Sequence, residues 1–149
     1  EWARLVLTLE AQHPVPPSFG DSAVRLAATG WEDAWDTSIG GLVYTTDFAG
    51  TPVVRERFHW VECEAMGAAW ALHAATGDPV WSDRYDAVTT WTQQHLVDPA
   101  VPGGWRHELS ASNEDVQTTW TGAPDVYHAL QAVLLPTLPL APGIAAALR

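Results

Sequence analysis

Apolar residues recur every three or four positions along much of the chain, a spacing that places them on one face of an α-helix. Proline and glycine interrupt this pattern, because proline cannot continue a helix and glycine favours its end. The pattern predicts helices over residues 1–12, 21–29 with a further turn at 31–36, 57–76, 79–97, 125–135 and 143–148. Helices in consecutive antiparallel pairs are typical of α/α repeat architectures, either a solenoid or a closed toroid.

A β-rich stretch interrupts the helical pattern. Residues 42–47 and 53–54 carry β-branched and aromatic side chains on either side of a turn, which predicts a short β-hairpin. A further short strand is predicted at 105–109, and a long polar loop follows it at 110–124. We therefore expect an all-α fold of helical hairpins with a short β-hairpin insertion.

The predicted helix 57–76 is apolar on more than one face. One stripe is wholly apolar, whereas a second begins with His59 and Glu62 and continues with Met66 and Trp70. A surface helix would carry one polar face instead. This pattern indicates an inner helix that packs on one side and lines a cavity on the other.

Composition and charge narrow the class of partner. The chain has 7 Lys and Arg residues against 18 Asp and Glu, a net charge of −11, which argues against nucleic acid and anionic membrane surfaces. No apolar run is long enough to predict a transmembrane helix. The single cysteine, Cys63, excludes an internal disulfide and a multi-cysteine metal site, so we expect a reduced, cytoplasmic setting.

His59 and Glu62 are the first candidate pair for chemistry. Residues three apart on a helix lie on one face, and a carboxylate beside an imidazole fixes its tautomer and stabilises its charged form. Such a histidine can take and return a proton near neutral pH. The alternative is a structural histidine satisfied by a local glutamate. A zinc site is less favoured, because the spacing lacks the further ligands that zinc needs.

The segment 120–128 holds the second group of candidates, in which Asp125, Tyr127 and His128 occupy the predicted first turn of a helix. An acidic residue suits a helix start through the helix dipole, so Asp125 has a structural explanation as well as a chemical one. Trp60, Trp105 and Trp120 each adjoin a candidate polar site. Their rings either stack on sugar faces or fill the core. His107, close to Trp105, is a weaker candidate for the same cavity.

Several motifs, in their order and spacing, resemble the C-terminal part of the N-acylglucosamine 2-epimerase family, and most of all its mannose isomerase and sulfoquinovose isomerase branch. They lie at residues 40–47, 52–55, 57–65, 76–78, 103–105 and 125–132. The resemblance implies about half of an (α/α)6 barrel around a sugar pocket. It also implies aldose–ketose isomerisation, such as mannose to fructose, or 2-epimerisation, in which histidines move a proton through a cis-enediol without metal or cofactor.

The resemblance also assigns residues. It implies that His59 and His128 are the catalytic histidines and that Glu62 supports the first of them; Glu64 also matches a family pattern but lies further round the helix from His59. The expected substrate-binding residues are Trp60, Arg55, Trp105, Trp120, Asp125 and Tyr127, with either Arg55 or Arg57 as the donor to the carbonyl oxygen.

Family members are more than twice as long, so the resemblance implies that residues 1–149 are a C-terminal fragment of a single barrel domain. The expected partners are a monosaccharide and the N-terminal half of the same barrel, with a homodimer left open. Two alternative functions also stay open. One is a glycoside hydrolase or lyase of the same architecture that uses Glu62 and Asp125, and the other is a non-catalytic carbohydrate-binding module.

Overall fold

Helices carry most of the chain in the computed structural model, which describes residues 1–16 and 18–141. Five α-helices and one short 3-10 helix lie within these ranges. They are α1 (Trp2–Gln12), α2 (Ser18–Ala34), α3 (His59–Thr76), α4 (Pro79–His95) and α5 (Val126–Leu134), with the 3-10 helix at Leu135–Thr137. The helix expected at 143–148 lies outside the described residues.

Two small antiparallel sheets lie between the helices. The first pairs β1 (Thr45–Thr46) with β2 (Pro52–Val54), which confirms the predicted hairpin. The second has the order β3 (Arg57–Phe58), β4 (Glu108–Leu109) and β5 (Asp115–Val116). The stretch 110–124, predicted as a loop throughout, therefore contains a strand.

The helix α3 lies at the centre of the packing. It contacts α4, α5, α1 and α2, while α1 and α2 pack against each other, so the predicted hairpins are present. One core cluster joins α1, α2 and α3 and includes Leu7, Ala23 and Leu72. A second joins α3, α4 and α5 through Met66 and Val88. Burial on several sides explains why α3 is apolar around most of its circumference.

The start of α3 differs from the prediction. Arg57 and Phe58 form β3 instead of a first helical turn, and Arg57 pairs with Leu109 of β4. The buried Arg57 guanidinium donates to the carbonyls of Gly40, Arg55 and Ala111 and to the Asp36 carboxylate at 2.9 Å. These contacts hold the backbone extended, so the helix begins at His59. It ends at Gly77, as predicted, with a left-handed φ of 70°.

The helix α2 is longer than predicted. It continues through Gly30 to Ala34, where Trp31 and Trp35 stack with ring centroids 4.5 Å apart. A glycine inside a helix costs only about 1 kcal/mol, which packing of the following aromatic residues offsets. Within residues 1–16 and 18–141, none of the helices has the length and apolar character needed to cross a membrane.

Candidate active site

His59 is the first residue of α3, directly after β3. Its backbone N–H donates to the carbonyl of His107 at 3.2 Å, so the small sheet fixes the place where the helix starts. The side chain has no exposed surface. Burial lowers the pKa of His59, the neighbouring Asp125 charge works in the opposite direction, and His107 lowers it further. The ring is therefore held in its neutral form near pH 7.

Asp125 and His128 lie at the start of α5. Asp125 caps the helix, because its Oδ1 accepts the backbone N–H of His128 at 3.0 Å. The same carboxylate lies 2.9 Å from Nδ1 of the His128 ring through either oxygen. Burial alone would raise the pKa of Asp125, but the His128 hydrogen bonds and the nearby histidines outweigh it, and the pKa lies below its usual range.

One carboxylate joins the two histidines across the fold. Nε2 of His59 lies 3.1 Å from Oδ2 of Asp125, and the two imidazole centroids are 6.1 Å apart. We call His59, Asp125 and His128 the bridged triad. An ionised carboxylate only accepts hydrogen bonds, so it selects the His59 tautomer with a proton on Nε2 and the His128 tautomer with a proton on Nδ1.

The nitrogens left without a proton by this arrangement differ in their surroundings. Nδ1 of His59 is buried and, among the described residues, has no hydrogen-bond partner. Nε2 of His128 lies 3.8 Å from Oε1 of Glu64, and the His128 side chain is 13% exposed. The structure thus opens the His128 side of the triad to solvent and places His59 behind it.

Glu62 lies in the first turn of α3 and was predicted to contact His59. The carboxylate that contacts His59 is instead that of Asp125. Oε1 of Glu62 accepts the backbone N–H of Leu42 at 2.7 Å. Burial raises the pKa of Glu62 to about 8, although the Leu42 hydrogen bond and the Arg57 charge oppose the shift. Glu62 therefore joins α3 to the segment before the first hairpin.

Glu64 takes the position beside the other histidine. Its carboxylate accepts from Arg4 of α1 at 3.1 Å and from Gln131 of α5 at 3.2 Å, and it faces His128. Arg4 and Glu64 are both buried, so the pair fixes the carboxylate in place. Three helices thus converge on the outer edge of the bridged triad.

Aromatic side chains surround the triad. The Tyr127 ring lies 3.9 Å from the His128 ring between centroids, and the Trp60 ring lies 6.0 Å from it. Trp120 packs on Phe58 at 5.0 Å and is 43% exposed. The hydrogen bonds that Thr118 and Thr119 donate to the buried Glu108 carboxylate hold the Trp120 segment in place. These rings offer flat apolar faces beside the polar triad.

A family comparison covers most of the chain. The family model described as N-acylglucosamine 2-epimerase (GlcNAc 2-epimerase) matches residues 1–132. The chain belongs to the N-acylglucosamine 2-epimerase family. The resemblance that the sequence motifs suggested is therefore confirmed.

Relatives within the N-acylglucosamine 2-epimerase family include D-mannose isomerases. The chain is 44% identical over 154 residues to the D-mannose isomerase of Pseudomonas cannabina pv. alisalensis, and 44% identical over 155 residues to that of Thermobifida fusca. Each alignment covers 99% of this chain but only 37% of the relative.

A solved D-mannose isomerase structure superposes with a TM-score of 0.84 and 28% identity, over 91% of this chain and 34% of that one. The predicted fold class, helical hairpins that form part of an (α/α)6 barrel, is confirmed.

Two of the predicted substrate-binding residues lie away from the aromatic rings around the triad. Arg55 is exposed, and its backbone carbonyl accepts from Arg57. Trp105 packs against the cores around Met66 and Leu109. It lines a separate cavity of about 330 Å³, whose wall Asp125 shares. Trp60, by contrast, lines a cavity of about 410 Å³ between α1, α2 and α3, together with Glu64.

Sequence reasoning underestimated two residues of this family member. The ring of His107 lies 5.2 Å from that of His59 between centroids, although its motif gave only a weak indication. The position of Glu64 round the helix from His59 favours Glu62 as the partner, whereas the contacts of Glu64 are with Arg4 and Gln131, which lie 60 and 67 positions away. Helical spacing reports neighbours on one helix and is silent about such distant contacts.

Proposed function

We propose that this chain is the C-terminal part of a single-barrel sugar isomerase or 2-epimerase that acts on an aldose such as D-mannose. The observation that carries the proposal is the bridged triad, in which two imidazoles from distant parts of the chain share one carboxylate. The names of the relatives support a monosaccharide substrate, and the flat rings beside the triad suit the C–H faces of a sugar.

The proposed reaction moves a proton between neighbouring carbons. Nε2 of His128 takes the proton from C2 of the open-chain aldose, and the electrons of the broken C–H bond form the C1–C2 double bond of a cis-enediol as O1 gains a proton. Return of a proton to C1, with loss of the O2 proton, gives the ketose. Return to the opposite face of C2, with loss of the O1 proton, gives the epimer. The atoms balance without any cofactor.

Within this proposal, Asp125 is a positioning residue that holds His128 with Nε2 free to accept a proton. His59 is the second acid–base group. Its pKa is lowered by burial, so the ring is neutral at pH 7. Predicted roles for Trp60, Trp120 and Tyr127 as sugar contacts remain part of the proposal.

Exposed apolar side chains support the proposal that further helices complete the barrel. Trp2 of α1 is 72% exposed, and Val126 of α5 is 77% exposed. Other large apolar residues exposed on these two helices are Leu5, Leu9, Leu130 and Val133. Contiguous apolar surface is uncommon on monomeric proteins, so helices of the same barrel are the proposed cover.

The alternative hydrolase or lyase has less support. It needs Glu62 and Asp125 as an acid–base pair, but Glu62 is fully buried and accepts the backbone N–H of Leu42. A non-catalytic carbohydrate-binding module would use the aromatic rings and would not need the triad.

Incubation with D-mannose in D2O tests the proposal, with the longest natural protein that contains this chain as the enzyme. We expect deuterium in the fructose or epimer product. His128→Gln and Asp125→Asn should each reduce turnover at least about 100-fold, while the exposed His73→Gln serves as the matched control. Sugar binding without exchange would support the binding module instead, and disaccharide cleavage without exchange would support the hydrolase.

A further inference from the structure

The bridged triad also has the composition of a metal site. Each of its three residues offers one ligand atom, and these atoms all lie within 4.8 Å of one another. Two imidazole nitrogens and one carboxylate oxygen form the kind of ligand set that zinc takes in three-residue sites, where the fourth position is left to water. We propose that His59, Asp125 and His128 bind a divalent transition-metal ion such as Zn²⁺, and that the bound ion blocks proton transfer.

The ligand atoms lie close enough together for one small ion to draw them in. A single oxygen, Asp125 Oδ2, lies 3.1 Å from His59 Nε2 and 2.9 Å from His128 Nδ1. Zinc bonds of about 2.0–2.1 Å place tetrahedral ligands about 3.3 Å apart, so these two contacts need to widen by about 0.2–0.4 Å, while the two histidine nitrogens, which lie within 4.8 Å of each other, need to move closer together. The Asp125 side chain is 37% exposed, so it has room to move by this amount.

Charge and outer contacts favour the same ion. Two neutral rings and one carboxylate leave a bound Zn²⁺ with one excess positive charge, and the Glu64 carboxylate, itself paired with Arg4, lies next to the site. Metal-bound histidines usually donate their other N–H to a carboxylate or carbonyl. Nε2 of His128 faces Oε1 of Glu64 at 3.8 Å, and Arg4 and Gln131 hold that carboxylate in place.

Metal binding would reverse the tautomers that Asp125 selects. Coordination through Nδ1 of His128 moves the ring proton to Nε2, and coordination through Nε2 of His59 moves its proton to Nδ1. Nε2 of His128 is the atom that accepts the substrate proton in the proposed function, on which this inhibitory consequence rests. The bound ion therefore removes the base as well as occupying the space beside it.

Binding is tested on the longest natural protein that contains this chain, by calorimetry with ZnCl2 and by visible absorption with CoCl2. We expect one tight site and the intense absorption bands of tetrahedral cobalt. Asp125→Asn and His128→Gln should each weaken binding at least about 100-fold, and Glu64→Gln about 10-fold. His73→Gln and His95→Gln, on exposed or distant positions, should bind as the unmodified chain does. Asparagine still caps a helix, so Asp125→Asn is expected to fold, as circular dichroism can verify.

Equal zinc affinity in the unmodified chain, Asp125→Asn and His128→Gln would overturn the site, as would cobalt spectra without tetrahedral bands. In the longer active protein, ZnCl2 should inhibit mannose exchange and a chelator should restore it; turnover that persists with the site filled would overturn the inhibitory role. Absence of exchange under all conditions would refute the proposed function, while the calorimetry still decides the metal site.

Discussion

The substitution Glu62→Gln should stabilise the protein, and more so as the pH rises. Folding carries the Glu62 carboxyl into a fully buried position, where its pKa is about 8 compared with an ordinary value of 4.5. The folded chain therefore binds this proton more tightly than the unfolded chain does. The resulting stabilisation is complete below pH 4.5 and is lost progressively as the pH rises to about 8.

The size of the effect follows from the two pKa values. Between pH 4.5 and pH 8, ionisation of Glu62 lowers the unfolding free energy of the wild-type protein by about 1.4 kcal/mol per pH unit. Glutamine has the shape of the protonated carboxyl and can still accept the Leu42 N–H through its oxygen, but it does not titrate. The variant should therefore gain about 3–4 kcal/mol over wild type between pH 5 and pH 8.

Urea unfolding followed by tryptophan fluorescence at pH 5, 6, 7 and 8 measures this difference. Glu64→Gln, two positions further along the same helix, is the matched comparison. It breaks the buried ion pair with Arg4, so it should lose about 3 kcal/mol instead of gaining stability. A difference between wild type and Glu62→Gln that is the same at pH 5 and pH 8 would refute the reasoning, because it would mean that Glu62 does not titrate in this range.

Three further predictions concern the same region. Cys63 should react with a disulfide reagent far more slowly in the folded protein than in urea, because burial and neighbouring carboxylates raise its pKa to about 12; equal rates would contradict this. Gly41→Ala should lower the unfolding free energy by about 2 kcal/mol or more, because φ is +80° and the added Cβ would lie 2.6 Å from the Trp91 ring. The control is Gly30→Ala in α2, where the added Cβ would meet nothing within 4 Å. This substitution should raise the unfolding free energy by up to about 1 kcal/mol, and urea unfolding measures both changes. Glu108→Gln should speed proteolysis of the loop after β5, whose N–H and hydroxyl groups this carboxylate accepts; an unchanged cleavage rate would show that these bonds do not restrain the loop.

Local patterns predicted the helices well where the deciding forces were local. The end of α3 at Gly77 follows from a left-handed glycine, and the start of α4 follows from Asp78, whose side chain caps the helix before Pro79. The strand Arg57–Phe58 was not predicted, because two residues are too few to show a periodic pattern and pairing with the distant strand β4 holds them extended.

In the candidate site as well, local sequence motifs identified residues, whereas contacts between distant parts of the chain were not predicted. The motifs identified His59 and His128, and the structure brings their rings together. The contacts between them depend on Asp125, which lies 66 positions from His59 along the chain, so spacing on one helix pointed to Glu62 instead. Asp125 was predicted as a substrate contact, and its position between both rings could be seen only after α5 had been placed against α3.

Asp125 both caps α5 and links the two imidazoles, so the reactive arrangement is absent until α5 docks. A nascent or partly unfolded chain would hold each imidazole in isolation. Under the proposed function, activity on reducing sugars is thereby tied to completed folding, and turnover in a refolding mixture would measure the fraction of molecules that have reached the native state.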